Sequence, residues 1–408
     1  MAPGLLSDQP SHSVLAEDGN GHGTEREPLR PSGALDRFKH EDTTPVIGRE
    51  YPSVNIVDDL LDAENADELV RDLAINSRHI GCACSVNRSL MQDTVSRRGV
   101  VFFRAQDNLT DELQKHLIHR LGQLSGKPST SSLHIHPVLN STSEFGVGDN
   151  NVSHISSVAR KKMYGSSLPL GYRVGTLTGR LHAIRFNHDK QANKRRYDSA
   201  RWHSDIQFEP CPADYTSLRL TQLPETGGDT LWASSYEIYD RFSRPYQKFF
   251  ETLTATFIGE GFTKAAAADP ENVKVYDAPR GSPLNIGKEL AAVHPVVRTN
   301  PVTGWKSIYA IGSFPKYINE LNEEESAELL AKFKRMITEN HDLQVRFKWR
   351  NANDLAIWDN RSAFHCATFD YEGLGERFGH RTVGIGDAPY LDPKSASRTE
   401  ALQGAGIA

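Results

Sequence analysis

The spacing of apolar and polar residues divides this chain into a polar leader and a long series of short, mostly extended segments. Residues 1–45 are rich in Ser, Gly, Pro, Asp, Glu and His and poor in large apolar side chains. Such a segment buries too little surface to offset the entropy of ordering, which predicts a disordered tail. Beyond it, Pro45–Gly48 and Val54–Ile56 read as short strands, and residues 65–75 have the spacing of an amphipathic helix. The run Gly99-Val-Val-Phe-Phe-Arg104 reads as a buried strand. After it, residues 110–124 predict a helix with Thr110 as N-cap and Leu113, Leu117 and Leu121 on one face.

Strands are also predicted at Thr216–Leu223, Thr230–Ala233, His294–Arg298, Ser307–Ile311, Leu355–Trp358 and Thr382–Gly386. Ser235–Phe250 and Glu251–Phe257 read as helical, and Ser326–Ile337 as a helix packed through Leu329, Leu330, Phe333 and Ile337. Many short strands with a few helices outside them predict a mainly β protein with flanking helices, built as a double-sheet jelly roll. One domain over residues 46–395 is expected, followed by a C-terminal tail over 396–408. Two stretches, 76–93 and 171–187, interrupt this order and read either as loops or lids, or as translated introns of a wrong gene model.

Charge narrows the partners. A net charge of -5 and an isoelectric point near 6.4 argue against a general nucleic-acid binder, whose footprint would be a basic patch. The one dense basic run, Lys190–Arg201, reads as a solvated loop or, alternatively, an anion-attracting lid. Cys82, Cys84, Cys211 and Cys366 form no disulfide framework, and neither Cys82-x-Cys84 nor His134-x-His136 has structural-zinc spacing. With no apolar run of spanning length and no signal-like leader, a cytoplasmic protein without membrane association is expected, and a homo-oligomer is left open.

Chemistry is concentrated in two segments. Trp202-His203-Ser204-Asp205 and Trp358-Asp359-Asn360-Arg361 followed by His365 together offer two imidazoles and one carboxylate. On an extended segment residues i and i+2 share a face, so His203 and Asp205 can reach one ion, with His365 the candidate third ligand. Such a set leaves neighbouring positions on a non-haem iron(II) open for a co-substrate and dioxygen. H-x-D alone recurs by chance, and an isolated His is more often a satisfied core residue. Here the motif is followed in order by Gly227-Gly228-Asp229-Thr230-Leu231-Trp232, then His365, then Arg377-Phe378-Gly379-His380-Arg381.

That order resembles the taurine dioxygenase family of iron(II)- and 2-oxoglutarate-dependent oxygenases, in particular its fungal sulfonate-dioxygenase-like branch. The resemblance implies a double-stranded β-helix (cupin-like jelly roll), with Fe(II) as metal and 2-oxoglutarate and O2 as co-substrates. It assigns the metal to His203, Asp205 and His365, and the distal carboxylate of 2-oxoglutarate to Arg377 and Thr230. His136, in His134-Ile-His-Pro137, and Arg381 stand where the family grips an anionic substrate group, and by looser alignment Phe262 and Tyr309 are expected as pocket walls. Leu139 and Ser199 replace polar residues of that pattern, which speaks against taurine itself. Oxidation of a small organic anion is thus expected, first a sulfonate, alternatively an amino acid or other carboxylate. A retired jelly roll that only binds a ligand has no physical need to keep all these groups.

Overall fold

A computed structural model describes residues 27–75, 95–138, 149–157, 201–271, 273–371 and 373–404. The cysteine pair at 82 and 84, the stretches 76–93 and 171–187, the run from Lys190 as far as residue 200, and Leu139 and Ser199 lie outside them. In chain order the strands are β1 (Glu41–Asp42), β2 (Arg49–Tyr51), β3 (Val100–Phe103), β4 (Ser153–Ser156), β5 (Ala213–Gln222), β6 (Thr230–Ser234), β7 (Thr254–Ile258) and β8 (Ala291–Pro295). They continue with β9 (Val297–Thr299), β10 (Lys306–Ile308), β11 (Pro315–Ile318), β12 (Gln344–Phe347), β13 (Asp354–Asp359), β14 (Ala363–Ala367) and β15 (Phe378–Ile385). The helices are α1 (Ala66–Ala74), α2 (Val95–Arg98), α3 (Asp111–Leu124), α4 (Ser235–Asp240), α5 (Arg244–Phe250), α6 (Glu260–Ala268), α7 (Glu323–Thr338) and α8 (Arg398–Gly404).

A seven-stranded sheet, ordered β1-β2-β3-β13-β5-β15-β4, faces a three-stranded sheet, β12-β6-β14. Side chains alternate across each strand, and this assigns the two faces of the large sheet. Val100, Phe102, Leu218, Leu220, Ala356 and Trp358 meet Trp232, Val345, Phe347 and Ala363 of the small sheet in one apolar cluster. On the opposite face Val101, Phe103, Tyr215, Leu355 and Ile357 pack on α1 and α3 through Leu69, Leu73, Leu117 and Leu121. A third sheet, β11-β7-β8, is covered by α7 through Leu329, Phe333 and Ile337. Among the described residues no helix is long and apolar enough to cross a membrane.

Thr110 caps α3 as predicted, accepting the Leu113 N–H. Other expectations are corrected. The segment 45–48 is not a strand, and Ile56–Leu61 forms a wide helical turn capped by Asn55, whose side chain accepts the N–H groups of Val57 and Asp58. The helix predicted through Phe257 stops at Phe250, and Thr254–Ile258 is instead β7, paired on both sides by β8 and β11. Its β-branched, alternating Thr-Ala-Thr-Phe-Ile favours a half-buried strand.

The described part of the expected tail is folded. Ser32, Gly33 and Ala34 donate backbone N–H bonds to the Asp72 carboxylate on α1, at 2.7 to 2.9 Å, and Leu35 enters the core. One buried carboxylate and one leucine order a segment whose composition alone argues against order. At the other end, residues 398–404 form α8, which docks on α4 through Arg398–Glu237 at 2.6 Å and Thr399 N to Asp240 at 2.9 Å.

Candidate active site

His203 and His365 are brought together by their own backbones. The N–H of His365 donates to the His203 carbonyl at 2.8 Å, and the reverse bond is 3.1 Å, so the two rings stand 4.2 Å apart. His365 lies mid-strand on β14, opposite Trp232 of β6, with its ring against Trp358 at 4.8 Å. Trp202 and Trp358 are thereby buried core aromatics. Gly312 makes the approach possible. Its φ is +117°, and a Cβ there would lie 2.6 Å from the Trp202 carbonyl oxygen and 3.0 Å from His203 Cα.

Asp205 follows on a turn closed by Ile206 at φ +50°. A β-branched residue held there costs on the order of 1–3 kcal/mol, offset by burial of Ile206 beside Phe208 and Leu290. The Nε2 atoms of His203 and His365 each lie 3.9 Å from Asp205 Oδ1. Ligand atoms of the three side chains all fall within 4.8 Å of one another. This is a fit to a small divalent metal, and the tautomer supports it. His203 Nδ1 is 2.7 Å from the Arg201 carbonyl, which can only accept, so Nδ1 carries the proton and the Nε2 lone pair faces Asp205.

Electrostatics keep all three groups in metal-binding form. Burial, followed by the neighbouring His203, pushes His365 down to about 3 against a weaker opposing pull from Asp205, so its imidazole is neutral. Burial alone would raise Asp205, but Arg381 first, then His365, His203 and the Thr216 hydroxyl, outweigh it and hold the carboxyl at about 2. The carboxylate is fixed at both oxygens. Arg381 Nη1 donates to Oδ1 at 2.8 Å and Thr216 Oγ1 donates to Oδ2 at 3.0 Å.

Asn360 ties these parts together. Its Oδ1 accepts the Asp205 N–H at 3.0 Å and the Trp358 indole N–H at 3.1 Å. Both are pure donors, so the amide orientation is settled, and Nδ2 donates to Thr216 Oγ1 at 2.8 Å. Sequence reasoning missed the roles of Thr216, Asn360, Phe314 and Gly312. Asn360 stood in the quoted Trp-Asp-Asn-Arg motif, and β5 alternation places Thr216 on the inner face with Leu218. Phe314 and Gly312 carry no local signal.

Arg377 and Thr230 also meet. Arg377, buried, donates from Nε to the Gly228 carbonyl at 2.9 Å and from Nη2 to Thr230 Oγ1 at 3.3 Å. Trp349 Nε1 donates to the same hydroxyl at 3.2 Å. Thr230 pairs with Ala367, two residues beyond His365, so Thr230 and His365 share one face of the small sheet. The Gly227-Gly228 turn, with φ of +79° and +70°, returns the chain so that the Gly228 carbonyl reaches Arg377.

His136 is buried against Phe262, their rings edge to face at 5.1 Å. Burial, then Arg381, keeps its pKa well below the ordinary histidine value. The neutral ring accepts the Val138 N–H at Nδ1, 3.2 Å away, so Nε2 carries the proton. Phe262 neighbours Phe208 and Phe314, and Phe314 stands edge-on to the His203 ring at 6.1 Å. Tyr309 is not placed in this wall: its ring contacts are Phe257, His294 and the Arg298 guanidinium, within the core behind the site. It is buried there because β10 leads into the apolar Tyr309-Ala310-Ile311 run. His134, the partner of His136 in the motif, pairs instead with Glu209 at 3.5 Å.

A second cluster, Asp111, His154 and His380, also brings ligand atoms within 4.8 Å, on the opposite face of β15 from Arg381. Asp111 is already shared between His380 at 2.9 Å and Arg219 at 2.7 Å, an ion-pair network that fastens α3 to the sheet.

Comparison with known proteins agrees with this geometry. The family described as taurine catabolism dioxygenase TauD, TfdA family matches residues 163–383. The alpha-ketoglutarate-dependent dioxygenase btcD of Neocamarosporium betae is 47% identical, covering 92% of this chain and 98% of that protein. The corresponding oryG of Aspergillus oryzae is 44% identical over 93% of this chain and 97% of its own. A putative alpha-ketoglutarate-dependent sulfonate dioxygenase of Schizosaccharomyces pombe is 28% identical, covering 84% of this chain and 75% of that one. In three dimensions the crystal structure of a putative alpha-ketoglutarate-dependent taurine dioxygenase from Burkholderia xenovorans superposes with a TM-score of 0.57 at 22% identity, covering 88% and 92% of the two chains. The chain belongs to the taurine catabolism dioxygenase TauD, TfdA family and is an Fe(II)- and 2-oxoglutarate-dependent dioxygenase.

Proposed function

We propose that the protein oxidises a C–H bond of a small organic anion at an iron(II) held by His203, Asp205 and His365. One observation carries this reading. Asp205 Oδ1, which lies 3.9 Å from the Nε2 atoms of both imidazoles, is also bonded by Arg381, whose buried Nε–H has no hydrogen-bond partner among the described residues. A guanidinium with a buried donor to spare, beside the metal position, is a receptor for an acidic substrate group. His136, packed on Phe262, lies close enough for Arg381 to act on its charge, and Phe262 and Phe314 form an apolar wall for the rest of the molecule. The two facing sheets are read as the double-stranded β-helix of a jelly roll, with the site between them.

Bound at the triad, iron(II) with 2-oxoglutarate supplies the dioxygen activation that oxidises the C–H bond. The chain's own residues do the placing. Arg377 and Thr230 hold the distal carboxylate of 2-oxoglutarate, Thr216 and Asn360 fix the plane of the Asp205 carboxylate, and Arg381 aims one C–H bond at the metal through the substrate's acidic end. A sulfonate suits that end by the retention of His136 and Arg381, and a sulfonate dioxygenase stands among the relatives. A carboxylate, including an amino acid, would use the same end of the site. A panel of sulfonates, sulfate esters, amino acids and other carboxylates, screened for substrate-dependent succinate formation, tests the reading. Sulfite release selects the sulfonate, and a modified acid selects the alternative. Succinate formed equally fast with neutral analogues would refute the anion requirement.

A further inference from the structure

Arg381 bonds the Asp205 oxygen that a metal held by the triad would use. Its Nη1 donates at 2.8 Å to Asp205 Oδ1, the oxygen that lies 3.9 Å from both ligand imidazoles, while Oδ2 is taken by Thr216. Asp205 and Arg381 are both largely removed from water, with 3% and 14% of their side chains exposed. A full positive charge bonded to a ligand oxygen in so dry a place lowers that oxygen's capacity to hold a dication. We propose that Arg381, besides receiving the substrate's anion, sets the metal affinity of the site, so that anion and metal bind cooperatively.

This coupling requires that Asp205 be a metal ligand and that Arg381 face the substrate, as proposed above. An acidic group that takes up Arg381, through Nη1 or Nε, withdraws its charge from Asp205 Oδ1 and returns that oxygen's full basicity to the metal. Linkage makes the effect reciprocal: metal at the triad tightens anion binding by the same factor. A site without anion would therefore hold its metal less firmly, and a neutral substrate analogue would lose the gain. His136 lies beside the pair, close enough for Arg381 and Asp205 both to act on its charge. It is neutral, however, and cannot replace the guanidinium's charge.

Anaerobic titration of the full-length protein with Mn(II), followed by calorimetry, gives the test without turnover. Arg381→Gln is expected to bind Mn(II) roughly tenfold more tightly than wild type, within the usual range of coupling between sites. Sodium methanesulfonate is expected to tighten Mn(II) binding to wild type several-fold and to leave Arg381→Gln unchanged. Equal or weaker metal affinity in a folded Arg381→Gln overturns the proposal. If that variant does not fold, the wild-type titration decides, and a methanesulfonate-independent affinity overturns it. Asp205→Ala separates the two layers. Unchanged metal binding in that variant removes the site assignment itself, whereas loss of binding there with no gain in Arg381→Gln removes the coupling alone.

Discussion

Replacing Thr216 by Val tests the support beneath the metal site at almost constant volume. Thr216 is fully buried on β5. Its hydroxyl donates to Asp205 Oδ2 at 3.0 Å and accepts from Asn360 Nδ2 at 2.8 Å. Valine removes both bonds. Asn360 Nδ2 keeps the Asp214 carbonyl at 3.2 Å, but Asp205 Oδ2 loses a donor to a charged acceptor, worth about 1.5–3 kcal/mol. The two losses together amount to about 2–4 kcal/mol of stability in the metal-free protein. The freed carboxylate can rotate about Cβ–Cγ, and loss of an outer hydrogen-bond partner typically lowers metal affinity about 10- to 100-fold. Urea unfolding reads the first quantity and anaerobic Mn(II) titration the second, with Thr216→Ser, which keeps the hydroxyl, as the rescue. A valine variant that binds metal as wild type does would show that the Asn360–Thr216–Asp205 chain positions nothing.

Other outcomes follow from the same geometry. Arg377→Met leaves the carboxylate of 2-oxoglutarate without its cation and should weaken 2-oxoglutarate binding about 10²-fold, about 3 kcal/mol, with Mn(II) affinity unchanged; equal losses of both would mean that the site is deformed. Gly312→Ala forces a Cβ into the Trp202 carbonyl and His203 Cα, whereas Gly373→Ala, also at a positive φ (+81°), meets nothing within 4 Å. Metal affinity should fall in the first variant only, and equal behaviour would deny Gly312 its place beside His203. Stability should also depend on pH. Burial first, then His203 and Arg298 respectively, holds His365 at about 3 and His294 at about 4, below their ordinary 6.5. Between those values the unfolded chain binds more protons, so the stability present above pH 6.5 is lost on acidification, on the order of 1 kcal/mol per pH unit for each histidine. Urea midpoints of metal-free protein that are equal at pH 7.5 and 5.5 would contradict this.

What could be read from the chain depended on how local the cause was. The convergence of His203, Asp205 and His365 was legible because the first two are two residues apart and His365 follows a recognisable motif. Arg377, Thr230, His136 and Arg381 were assigned only as a set, through their order along a family pattern. Alternation found β3, β5, β6 and β13, since each has one or both faces in the apolar layer. It failed at β7, where Glu251–Phe257 supports either period and the pairing partners, β8 and β11, lie tens of residues downstream. The order of residues 28–38 could not be read at all, since it depends on Asp72. Tyr309, expected by loose alignment alone, has its ring against Phe257 and His294, whereas Phe314, with no motif around it, stands against His203.

The central claim, that three distant side chains hold one iron with open positions beside it, is tested most directly by adding Fe(II) anaerobically to protein saturated with 2-oxoglutarate and following the weak visible charge-transfer band of such complexes. The band is expected to saturate at one iron per chain, to disappear in Asp205→Ala and to weaken in Arg377→Met. A band of full intensity in the Asp205 variant would contradict it.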